Sequence, residues 1–257
     1  MAASGTTITV RVMARDGKFL GDDIGGASIT IRDAQTGEIL AQGTTSGGSG
    51  LNGCDGVMCV SLRRGQPLPT TGASAFTAFL PLEKSRRIEV TAFGPLAARQ
   101  SANTVSATQW VYPGKDVTEG VGFLLELPGL IVQIVSPPTH YSPAVLPELA
   151  IRANVAMMCG CPIDHKRTHK QKICPDLHAD EQPWRPEEFE VGALVRGPNG
   201  FSLEIPLRFQ EIPPADTPGQ FVGVWSAPPK GIYEITVFAY QKATGNTGVD
   251  VATVIVP

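Results

Sequence analysis

Ile8, Val10, Val12 and Ala14 fall on one face of an extended chain, with Thr7, Thr9, Arg11 and Met13 on the other. This two-residue alternation recurs along the whole chain, whereas the 3.6-residue period of an amphipathic helix is almost absent. Asp16-Gly17, Thr36-Gly37 and Pro128-Gly129 interrupt it with turn chemistry, and 28 Gly and 22 Pro supply many more breaks. Such a pattern builds many short strands joined by turns. The 257 residues, 42% of them hydrophobic, provide a core for two domains. The expectation is an all-β chain of two consecutive antiparallel β-sandwiches, covering residues 1–127 and 128–257.

In the first domain further strands are expected at 27–31, 38–41, 57–62, 75–80, 87–93 and 120–127. The run Val10-x-Val12, Asp16-Gly17, Gly26-Ala27-Ser28-Ile29-Thr30-Ile31 and Thr36-Gly37 resembles the opening of transthyretin-like, carboxypeptidase-regulatory-like sandwiches, over about the first 45 residues. That resemblance implies a fold and no activity.

In the second domain strands are expected at 130–135, 148–158, 189–196, 201–209, 221–226, 232–240 and 249–256, the set an immunoglobulin-like sandwich requires. The stretch Trp225-Ser226-Ala227-Pro228-Pro229-Lys230-Gly231-Ile232-Tyr233-Glu234-Ile235-Thr236-Val237-Phe238-Ala239-Tyr240, followed by Thr244-Gly245-Asn246, resembles the late strands of bacterial immunoglobulin-like domains. The resemblance implies a tyrosine corner at Tyr233. Ile235 stands where antibody domains carry a cysteine, so their inter-sheet disulfide is absent.

One segment carries concentrated chemistry. About 27 residues separate Cys161 from the strand at 189, against roughly 2–5 for a usual hairpin loop. This insertion, about 159–187, holds three of the five cysteines and three of the four histidines: Cys159, Cys161, Cys174, His165, His169 and His178. Thiolate and imidazole together suit Zn or Cu better than a hard cation. On an extended chain Cys159 and Cys161 would project from one face, and Met157 and Met158 add thioethers that would favour Cu(I). The spacing matches no zinc-finger or ribbon pattern. Two other readings stand beside the metal. The cysteines continue the core-facing row Leu149, Ile151, Ala153, Val155 and Met157, or Cys174 bridges back to Cys159 or Cys161 and staples the loop.

Weaker signals accompany it. Residues 48–53 spell G-x-G-x-x-G without the strand-to-helix transition that a dinucleotide site needs. Trp184, and Trp110 with Tyr112, read either as stacking platforms or as core-closing aromatics. His140 reads as a loop residue. Cys54 and Cys59 lie in a Gly-rich turn where a local disulfide is geometrically easy.

A net charge of -3 gives no basic surplus to neutralise phosphates, which argues against nucleic acid, and no apolar run approaches the length of a membrane span. The N-terminus has no basic segment followed by an apolar stretch. The cysteine usage favours an exported location, periplasmic or extracellular, over the cytoplasm. The sequence thus reads as a non-catalytic binding or accessory protein that displays a Cys/His loop to a protein partner or companion subunit, with Asn246 on the same apical surface. The alternatives are a metal- or Cys-dependent enzyme or enzyme subunit, and a structural or adhesive module with a stapled loop.

Overall fold

A computed structural model of the chain describes residues 5–50, 57–58, 64–142, 148–165, 183–214, 217–226 and 229–257. The chain divides into two compact units. Among the described residues the first comprises those up to Pro128 together with Met158–Gly160, and the second comprises the remainder.

The first unit contains β1 (Gly5–Ala14), β2 (Ser28–Asp33), β3 (Ile39–Thr44), β4 (Ser46–Ser49), β5 (Ala73–Pro81), β6 (Arg86–Gly94), β7 (Asn103–Val111) and β8 (Phe123–Leu127). They form two four-stranded sheets, ordered β4-β5-β1-β8 and β3-β2-β6-β7. β1 pairs antiparallel with β5 and parallel with β8. Its expected inner face holds: Ile8, Val10, Val12 and Ala14 are fully buried, and Ile29, Ile31, Ile88, Val90 and Ala92 of the other sheet are buried as well. Packing the two sheets face to face hides the apolar face of each. The strand expected at 57–62 lies largely outside the described residues, and Val57 and Met58 stand in a turn. Gly48 and Ser49 of the G-x-G-x-x-G run belong to β4.

The second unit contains β9 (Leu130–Ser136), β10 (Glu148–Met157), β11 (Phe189–Arg196), β12 (Ser202–Pro206), β13 (Arg208–Gln210), β14 (Gln220–Ser226), β15 (Gly231–Gln241) and β16 (Asn246–Val256). Its sheets run β13-β14-β10-β9 and β12-β11-β15-β16. Chain order alternates between the sheets in pairs, which is the Greek-key exchange of an immunoglobulin-like sandwich. Every second residue of β10, from Leu149 to Met157, is buried, and so are Val191, Ala193, Val195, Ile235, Val237 and Ala239 of the facing sheet.

Two expectations change here. The run 201–209 is two strands: β12 pairs with β11 and β13 pairs with β14. Between them buried Leu207 donates its N–H to the Val191 carbonyl (2.9 Å), so the chain crosses from one sheet to the other after Pro206. The Tyr233 ring meets Trp225 edge-on at 4.8 Å and Phe201 at 5.5 Å, while residues 227 and 228, just upstream of β15, lie outside the described residues. Asn246 is not on an apical surface. It is 1% exposed, its Oδ1 accepts the Gly129 N–H (3.0 Å) and its Nδ2 donates to Gln241 Oε1 (3.1 Å).

Asn246 therefore fastens the start of β9 to the β15–β16 hairpin. Truncation to alanine leaves the buried Gly129 N–H without its acceptor. Asn246→Ala is expected to lower unfolding free energy by about 1–3 kcal/mol, measured by urea denaturation.

Candidate functional site

β10 delivers the chain to the Cys/His segment. The strand ends at Met157 because Met158–Gly160 turn back, with Gly160 at φ 81°, a left-handed conformation that favours glycine. Met157 N–H donates to the Cys161 carbonyl (2.9 Å), and Ala156 bridges Pro162 antiparallel. Cys159 and Cys161 thus do not sit two apart on one extended face. A turn separates them, leaving Cys159 buried and Cys161 half-buried. The core-facing row of β10 stops at Met157, and Cys159 is buried as part of the turn.

The return strand then fixes its neighbours. Ile163 is buried and bonds back to the Val155 carbonyl (3.4 Å). Asp164, also buried, accepts the Gly219 N–H on Oδ2 (2.9 Å) and donates its own N–H to the Trp184 carbonyl (3.3 Å). His165 Nε2 lies 2.5 Å from Glu187 Oε1, and its ring stands edge-on to Phe209 at 5.0 Å. Phe209 in turn packs edge-on against Phe221 at 5.5 Å. Pro186 starts the short 3-10 turn Pro186–Glu188, which leads directly into β11.

The two stems of the long connection between β10 and β11 are consequently joined twice, by Asp164 with Trp184 and by His165 with Glu187. Trp184 is 2% exposed and closes the core; it offers no stacking platform. Trp110 and Tyr112 take the opposite outcome, at 60% and 62% exposed. His140 is an exposed loop residue with φ 59°.

Of the candidate ligands, Cys159, Cys161 and His165 are described, whereas Cys174, His169 and His178 lie outside the described residues. Among the described residues no group of three or more His, Cys, Asp or Glu side chains is gathered as a metal site. Sequence reading passed over Asp164, Glu187 and Phe209. The available signal was the acidic pair Glu187-Glu188 just before the strand at 189.

The His165 side chain holds the Glu187 carboxyl below the ordinary glutamate value, mainly by their hydrogen bond, with Glu187's own backbone N–H contributing. A lowered carboxyl favours the folded chain above its unfolded-state pKa. That contribution disappears as pH falls through the lower folded value. Both side chains are largely exposed, so the stabilisation is small.

No family model matches the chain, and no curated protein matches it. Among solved structures it is similar to fibronectin(III)-like modules of Clostridium thermocellum CbhA, at 12% identity and a TM-score of 0.26, over 89% of this chain and 77% of that one. The strand order, rather than this likeness, defines the sandwiches.

Two substitutions separate the stem contacts. In His165→Ala the Glu187 titration, followed by carboxyl NMR, is expected to move up towards an ordinary glutamate while unfolding free energy changes by less than about 1 kcal/mol. Asp164→Ala, which strands the buried Gly219 N–H, is expected to cost about 1–3 kcal/mol. Equal effects from both would contradict the assignment.

Proposed function

We propose that this chain is a non-catalytic binding or accessory protein whose second sandwich displays the Cys/His loop, and that the loop binds a transition metal, Zn or Cu. The observation that carries the reading is the double fastening of the stems at Asp164 and His165. Clamped stems let a long insertion leave a sandwich without loosening the core. The loop's chemistry supplies the rest: thiolates from Cys159, Cys161 and Cys174, with imidazole from His165, His169 or His178. A carboxylate on one ring nitrogen of His165 fits the common arrangement in which such a partner orients a metal-binding imidazole through its other nitrogen.

The sandwich ahead of it is, in this reading, a transthyretin-like spacer. The sheet order β3-β2-β6-β7 and the parallel pairing of β1 with β8 support that likeness. An exported location and a protein partner or companion subunit complete the proposal. The net charge of -3 supplies no basic surplus to neutralise phosphates, which argues against nucleic acid as the partner. No helix among the described residues is long and apolar enough to cross a membrane.

Elemental analysis of the purified chain by inductively coupled plasma mass spectrometry tests the reading, together with a thiol count under denaturing, non-reducing conditions. About one equivalent of Zn or Cu is expected, lost in a Cys159→Ser/Cys161→Ser double variant that keeps its far-ultraviolet spectrum. Metal-free protein with a single titratable thiol would replace the proposal with a disulfide-stapled structural or adhesive module.

A further inference from the structure

The long connection between β10 and β11 carries three histidines, and His165 is the one that stands on its stem. Three separate contacts hold it. Its neighbour Asp164 is buried, donates its N–H to the Trp184 carbonyl and accepts the Gly219 N–H on its carboxylate. The His165 ring stands edge-on to Phe209 of β13, which packs in turn against Phe221 of β14. Nε2 meets Glu187 Oε1 at 2.5 Å. Glu187 is itself well anchored, because its 3-10 turn opens with buried Pro186 and runs straight into Phe189, where the ladder of β11 with β15 begins.

This geometry fixes the tautomer of the neutral ring. An ionised glutamate oxygen only accepts, so the ring proton belongs on Nε2 and the lone pair is left on Nδ1. Among the described residues Nδ1 has no hydrogen-bond partner. Both members of the pair are exposed, and an exposed ion pair adds little to the stability of a fold. Stability therefore does not account for a ring held in one orientation with its basic nitrogen unspent. Donation of that lone pair to a metal ion does.

We infer that His165 is a nitrogen ligand of the proposed metal, coordinating through Nδ1, and that Glu187 is its positioning residue. The inference rests on the metal-binding reading of the loop. It adds the histidine chosen among three, the atom that binds and the residue that orients it. A carboxylate on the far nitrogen raises the basicity of the ring, and a ring already in place loses little side-chain freedom when the metal arrives.

Titration of the metal-free full chain with Zn, and separately with Cu(I), against a chromophoric chelator provides the test, together with long-range proton–nitrogen NMR of the histidine side chains. Metal is expected to move the His165 Nδ1 resonance to a metal-bound position while Nε2 keeps its proton. Glu187→Ala should weaken binding by about 10–100-fold with an unchanged thermal midpoint, and Glu187→Gln, which keeps an oxygen acceptor, by less. His165→Ala should remove the shifted resonance, whereas His169→Ala and His178→Ala should leave it in place. Metal bound with His165 unshifted, bound through Nε2, or bound with an affinity indifferent to Glu187→Ala overturns this inference and leaves the metal-binding reading standing. A wild-type chain that takes up neither ion overturns both.

Discussion

The buried carboxylate of Asp164 is the contact on which the second unit's unusual connection depends. A carboxylate inside a sandwich is tolerable only when donors satisfy it, and the Gly219 N–H does so while the Asp164 backbone reaches the Trp184 carbonyl. Three separate stretches meet there: the return from β10, the approach to β11 and the approach to β14. Trp184 seals the core behind them, and the His165–Glu187 pair lies outside it on the exposed side. The long insertion therefore begins and ends at one place, and the immunoglobulin-like strand order passes through it unbroken.

The sandwich architecture was legible because burial on one face imposes alternation. β1, β10 and β11 show it most clearly, since each lies inside its sheet and alternates against a facing core. β7 escaped notice for the converse reason: both of its faces are open to solvent, so selection for burial leaves almost no alternation to read. The 201–209 run looked continuous because apolar residues persist through Leu207. Only the tertiary pairing reveals that β12 and β13 belong to different sheets.

The candidate site was legible by composition and not by geometry. Clustered Cys and His single out the segment, yet extended spacing was the wrong guide for Cys159 and Cys161, because Gly160 adopts a left-handed turn between them. Asn246 illustrates the same limit: it looks like a surface residue in one dimension, whereas it is spent on Gly129 and Gln241. Long-range partners of this kind leave no local pattern.

The central claim is that a clamped loop presents sulfur and nitrogen ligands to a transition metal. X-ray absorption at the metal edge of the Zn-loaded chain measures this directly. The account predicts a tetrahedral shell of mixed sulfur and nitrogen, with Zn–S near 2.3 Å and Zn–N near 2.0–2.1 Å. A shell of oxygen and nitrogen alone would contradict it, since the cysteines would then take no part in binding.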